Sequence, residues 1–232
     1  MAERTILGTL WRWLAFFALL PVVAAEVWAL ALTLGAEGRE AVEAGSMASQ
    51  ALWLGGGAAC YGLIHAALHK PITTYVFAHE LTHALWAVMT GHKVGKIRIG
   101  SESGHVETAG SNFLVRLAPY FFPFYSLVLL GAWAATALFV PELAGYRGWL
   151  FAGLGFTYAF HVLLTVHSLK GGQSDLKTEG YCFSLALIAA VNLQLVAALV
   201  AAASRATAWW GYEKLVGQTL AAWAKLAAGL LQ

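Results

Sequence analysis

The chain has 232 residues, 59% hydrophobic and 11% charged, with a formal charge of +2, against roughly 45–50% apolar and about 25% charged in an average soluble domain. This excess of apolar side chain excludes an ordinary soluble monomer, and the scattered basic residues form no block that would track phosphates, which argues against nucleic acid as a partner. The two cysteines, Cys60 and Cys182, lie in apolar stretches; they read as packing residues and provide neither a disulfide framework nor a cysteine-rich zinc finger.

Apolar runs of about twenty residues recur along the chain, the length a helix needs to cross about 30 Å of hydrocarbon. The first covers residues 8–34. Its early part resembles the apolar region of a signal peptide, but it continues past Ala25 to Leu34, so a retained membrane helix is expected. Glu26 lies inside it with no motif around it and reads as an acid near an interface. Residues 36–47, with Glu37, Glu40 and Glu43, are expected to form a solvated loop. A second span is expected from Ser49 to His69, where Gly55, Gly56 and Gly57 would let a neighbouring helix approach closely. Pro71 suits the first turn of a third helix, because its missing N–H is unneeded there, and Gly91 stops that helix after Thr90.

From Lys93 to Ile99 polar and apolar residues alternate, turn residues Gly100 to Gly104 follow, and His105 to Thr108 alternates again, the pattern of a β-hairpin at the membrane face. A fourth span, Phe113 to Val140, contains Pro119 and Pro123, which predict a kink or break where protein or water satisfies the freed backbone groups. Trp149 to Leu169 reads as a fifth span, residues 170–180 as a polar turn-forming segment, and Tyr181 to Ala203 as a sixth span. From Thr207 onward, Trp209, Trp210, Val216, Leu220, Trp223 and Leu230 recur at near-helical spacing, as in an interfacial amphipathic helix. The expected fold is all-α and polytopic, with about six transmembrane helices and a small β-hairpin. Residues 1–205 form one membrane-embedded domain with its core at about 71–195, and residues 206–232 form the C-terminal amphipathic helix. Lysine and arginine are balanced between alternate loops and set no orientation.

The third helix carries His79-Glu80-Leu81-Thr82-His83, an HExxH sequence. Positions i and i+4 share a helical face, so both imidazoles can address one Zn²⁺. Glu80 lies about 100° around the helix from His79, placed to act as general base on a water without being a ligand. The pattern arises by chance about once in a hundred such chains. Burying two imidazoles and a carboxylate together in a span also asks for a compensating partner such as a metal. A catalytic zinc takes a third protein ligand. Asp175, the only aspartate, is the leading candidate, in a polar segment able to fold back. Glu179, His161 and His167 are the alternatives, and Asp175 also suits a turn or a helix N-cap before Leu176. His65 and His69 form a second i, i+4 pair that reads as wet and interfacial next to Lys70. His92 and His105 flank the hairpin and receive no metal role.

The run HELTHALWAVMTG, a hairpin, a proline-broken span and an aspartate-bearing segment before another span together resemble the site-2 protease family of intramembrane zinc metallopeptidases, over roughly residues 71–195. In that family the two histidines and a distant aspartate bind zinc, and the glutamate activates water for peptide hydrolysis. The resemblance implies His79, His83 and Asp175 as ligands of one Zn²⁺, Glu80 as the catalytic base, and a transmembrane protein as substrate. Two departures stand out: Thr82 occupies a position where family members commonly have glycine, and the aspartate lies in Gln173-Ser174-Asp175-Leu176, not in a stretch ending Leu-Asp-Gly. The chain thus resembles a divergent, minimal member without a PDZ domain. An extended substrate would add as a strand to Lys93 to Ile99 or to its partner at Gly104 to Thr108, and capping of the membrane face is the other use the hairpin fits. Two other functions fit parts of the pattern: a noncatalytic metal-binding membrane scaffold or carrier, and a membrane di-iron oxygenase, although the chain has no His-His pair. Integral, multi-pass placement in a membrane is expected, the cell membrane in a prokaryote.

Overall fold

The structure, a computed structural model, describes residues 6–43, 50–68, 70–101, 103–203 and 206–230. It is mostly helical, and its contacts divide it into two compact units, residues 52–178 and residues 1–51 with 179–232.

In the 52–178 unit, α2 (Gln50–Ala67) is followed by α3 (Ile72–Met89), with Pro71 as its N-cap. Gly91 takes a φ of 79° just past the end of α3, a left-handed conformation that glycine adopts without steric cost. The hairpin pairs β1 (Val94–Ile99) with β2 (Gly104–Thr108) antiparallel, Ile97 opposite Val106 and Ile99 opposite Gly104, with an irregularity between Val94 and Ile97. Asn112 caps α4 (Phe113–Leu117) by accepting from the Val115 N–H at 3.0 Å. A 3-10 turn, Ala118–Tyr120, then leads into α5 (Phe124–Ala137), and the chain bends by 79° between the two arms. The break falls where Pro119 and Pro123 remove two N–H groups, as their chemistry requires. A second 3-10 segment, Pro141–Tyr146, precedes α6 (Arg147–Lys170), and α7 (Ser174–Glu179) follows. α3 lies at the centre of this unit, packed against both strands, α4, α5 and α6.

Tyr61, Tyr75, Phe160 and Leu164 form its buried core. Edge-to-face ring pairs join Tyr61 to Phe156 at 5.1 Å and Tyr125 to Phe160 at 5.4 Å, each contributing about 0.5–1.5 kcal/mol beyond simple burial. Of the three consecutive glycines, Gly57 alone makes a close approach: a Cβ there would strike the Ala152 carbonyl of α6, whereas Gly55 and Gly56 face open space.

In the other unit, α1 (Ile6–Glu43), α8 (Tyr181–Ala203) and α9 (Ala206–Leu230) bury Ala25, Ala29, Leu30, Ala197, Tyr212 and Val216 against one another. Two expectations change here. Residues 36–43, expected in a loop, continue α1, because alanine, glutamate and arginine sustain a helix. Glu26, expected near an interface, is buried and accepts a hydrogen bond from Gln194 Nε2 at 2.7 Å.

Among the described residues, three helices are long and apolar enough to cross a membrane: Ile6–Ala36, Pro141–Lys170 and Tyr181–Ala203. The bent pair Phe113–Tyr120 and Phe124–Ala137 makes a fourth if it is counted as one broken span. Large apolar side chains stand outward, among them Leu138 at 80% and Phe139 at 83% exposure, a surface suited to hydrocarbon. Cys60 and Cys182 are free and lie on this outer surface, not in the packed interior.

Candidate metal centre

α3 has no helix breaker between Pro71 and Gly91, so its 3.6-residue period places His79 and His83 one turn apart on one face. Their rings lie 4.8 Å apart between centroids and nearly perpendicular, at 82°. His79, Glu80 and Thr82 are all buried. Three such buried polar groups on one helix require partners.

The broken helix supplies one of them. The carbonyl of Val115 would ordinarily accept from the N–H four residues later, but that residue is Pro119, which has none. This carbonyl instead accepts from His83 Nδ1 at 2.7 Å. A carbonyl can only accept, so Nδ1 carries the proton, and in the neutral ring Nε2 presents its lone pair. The Tyr120 backbone lies at the same break, although the residue four on, Phe124, keeps its N–H. The Phe124 N–H turns to Phe122 O at 2.8 Å, and a backbone hydrogen bond joins Tyr120 to the ring of His161.

α7 delivers the acid. The segment expected to be polar and turn-forming, with a helix N-cap at Asp175 as an alternative, contains this short helix, with Asp175 inside its first turn and Gly172 at a φ of 74° just before it. Asp175 Oδ2 accepts from the Tyr120 hydroxyl at 3.1 Å and lies 3.6 Å from His83 Nε2. Ligating atoms of His79, His83 and Asp175 all fall within 4.8 Å of one another. A direct His–Asp ion pair would close to about 2.7–2.9 Å. Two ligands of a tetrahedral zinc, each at about 2.0–2.2 Å, stand about 3.3–3.5 Å apart. The observed 3.6 Å lies nearer the second case, and two imidazoles and a carboxylate are a donor set able to hold a divalent metal ion. Burial tends to raise the Asp175 pKa, but the adjacent His83, with help from His79 and the Tyr120 hydroxyl, holds it below its ordinary value.

Glu80 faces a cleft of about 350 Å³, whose lining includes His79, Ser103, Gly104, His167 and Gln173. Gly104 of β2 lies directly against the Glu80 side chain: a Cβ on it would meet Cγ, Cδ and Oε1 of that carboxylate. The hairpin therefore forms one wall of the site and restricts where the glutamate can sit.

The alternative third ligands stand elsewhere. Glu179 is buried in an ion pair with Arg12 at 2.7 Å. His161 lines a smaller cavity beside His79, and His167 lines the cleft, both outside the three-ligand group. His65 sits 3.4 Å from the Tyr61 hydroxyl, while His69 lies outside the described residues. His92 bonds Thr90 Oγ1 at 2.9 Å, and His105 is an exposed strand residue opposite Arg98. Sequence reasoning passed over Tyr120 and the Val115 carbonyl. Only the latter left a signal, the proline four residues on.

Comparisons with protein-family models, curated proteins and solved structures return no match. The functional case therefore stands on the geometry of this site.

Proposed function

We propose that the chain is an intramembrane zinc metalloprotease of the site-2 protease type, hydrolysing a peptide bond in or near a transmembrane segment of a membrane-protein substrate. One observation carries the proposal: His83, with Nδ1 held by the Val115 carbonyl, sets Nε2 3.6 Å from Asp175 Oδ2, with His79 completing the set beside a buried glutamate on an open cleft. In the neutral ring Nε2 and the carboxylate are both acceptors, and a cation between them satisfies both. His79, His83 and Asp175 would hold Zn²⁺, which when bound lowers the pKa of water toward about 7 and polarises a carbonyl.

Glu80 then takes the proton of the attacking water as the water oxygen bonds the peptide carbonyl carbon. It returns that proton to the amine when the C–N bond breaks. An extended substrate stretch pairs along β2, whose Gly104 lines the cleft, so a helical substrate must unwind locally to be cut. Six spans accommodate this site. α2 and α3, at 18 residues each, are the two shorter ones, and the protein is multi-pass.

The test is elemental analysis of purified protein beside hydrolysis of a reconstituted single-span peptide in ¹⁸O-labelled water. About one zinc per chain is expected, lost in His79→Ala and Asp175→Ala and kept in Glu80→Gln. Label should enter the new carboxylate with wild type, and at least about a hundredfold more slowly with Glu80→Gln. Two irons per chain, no metal, or a Glu80→Gln protein as fast as wild type would overturn the proposal. An intact biological role in a zinc-bound Glu80→Gln protein would indicate a scaffold or carrier instead.

A further inference from the structure

We propose that a buried water connects the metal ligand His79 to His161 and Thr82, making His161 the positioning residue for that ligand; this rests on the metalloprotease reading above. Metal-binding histidines almost always donate their second ring N–H to a carboxylate, a backbone carbonyl or a water. His83 does so through Val115. The corresponding atom of His79, Nδ1, is buried without a hydrogen-bond partner, and so is Nε2 of His161. The two residues are 9% and 7% exposed.

Both line one cavity of about 10 Å³, together with Thr82. That is close to the smallest space that holds one water molecule. The tyrosine hydroxyls bordering it are engaged elsewhere, Tyr75 with Thr165 Oγ1 at 3.4 Å and Tyr125 with the Thr74 carbonyl at 2.8 Å. Proton roles close without conflict. His161 spends a ring N–H on the Tyr120 backbone, and since Nε2 makes no bond, Nδ1 is the donor and Nε2 the acceptor. Thr82 gives its hydroxyl proton to the Ala78 carbonyl at 2.7 Å and keeps lone pairs.

A water in the cavity accepts from His79 Nδ1–H and donates to His161 Nε2 and Thr82 Oγ1. These are three bonds, the number buried waters usually make. With its proton held on Nδ1, His79 turns Nε2 to the cleft, the other cavity it lines. Thr82, the departure from the family's usual glycine, thereby acquires a role, and the Tyr120 backbone orients His161 as the Val115 carbonyl orients His83.

The experiment measures zinc affinity by chelator competition, and imidazole ¹⁵N shifts of metal-free protein, for wild type, His161→Leu and His161→Gln. His161→Leu should bind zinc about 10–100-fold more weakly. His161→Gln, which places an amide oxygen near the lost Nε2, should recover most of that loss. In metal-free wild type, His161 should be protonated on Nδ1 and His79 on Nδ1, and the His79 preference should relax in His161→Leu. Unchanged affinity in a folded His161→Leu protein, or equal losses in both variants, would overturn the bridge. So would a wild-type spectrum with His161 protonated on Nε2, which needs no variant to fold. Wild type that binds no zinc would sink the metalloprotease reading, while the metal-free spectra still decide for or against the water link.

Discussion

Gly104→Ala is the sharpest probe of how the hairpin serves the glutamate. A Cβ at position 104 would lie 2.8 Å from Glu80 Cδ and 2.9 Å from Oε1, where ordinary contacts begin near 3.4 Å. The carboxylate must therefore retreat by about 0.5–1 Å. A displacement of about 1 Å at a reacting group costs on the order of a hundredfold in rate, equivalent to about 2.7 kcal/mol of barrier. Glycine is a weak strand residue and no positive φ requires it here, so fold stability should hold or rise slightly. Peptide hydrolysis in labelled water, zinc content and thermal unfolding are measured together, with Gly95→Ala as the hairpin control because its neighbour, Glu107, is an exposed and flexible side chain. Wild-type turnover in Gly104→Ala would refute the idea that β2 restrains Glu80. Loss of zinc along with activity would refute it equally, by showing a collapse of the site in place of a displaced base.

Pro119→Ala restores an N–H that competes with His83 for the Val115 carbonyl; zinc affinity should fall about tenfold or more by chelator competition, and an unchanged value would show that the proline break is not what orients His83. Gly57→Leu should destabilise the protein by about 1–3 kcal/mol or more through collision with the Ala152 carbonyl, whereas Gly56→Leu, facing open space, should leave the thermal midpoint nearly unchanged. In chelator-treated protein, Asp175 is held below its ordinary pKa of 3.8. Its ionised form favours the fold, so this stabilisation is complete above that value and is lost as pH falls through the lower folded one. Asp175→Asn should lack this part of the acid limb in denaturation curves, and coincident wild-type and variant curves below pH 3.8 would count against it.

Whatever depends on local periodicity or on a single residue's chemistry could be read from the chain itself. His79 and His83 share a face because an α-helix repeats every 3.6 residues, the hairpin follows from a period of two around turn residues, and the break near Pro119 follows from an N–H that proline does not have. Packing decided the rest. The period of α3 says nothing about which acid approaches it; Asp175 stands beside His83, and Glu179 beside Arg12, pairings that no local rule selects. Glu26 was legible as an anomaly, but its partner Gln194 lies on another helix. A released carbonyl can be inferred from a proline, but its use by His83 depends on how helices meet, which is set by many weak contacts between residues distant in the chain. Local rules determined which groups this protein carries and on which faces; tertiary packing determined which of them meet, because that energy belongs to no single segment.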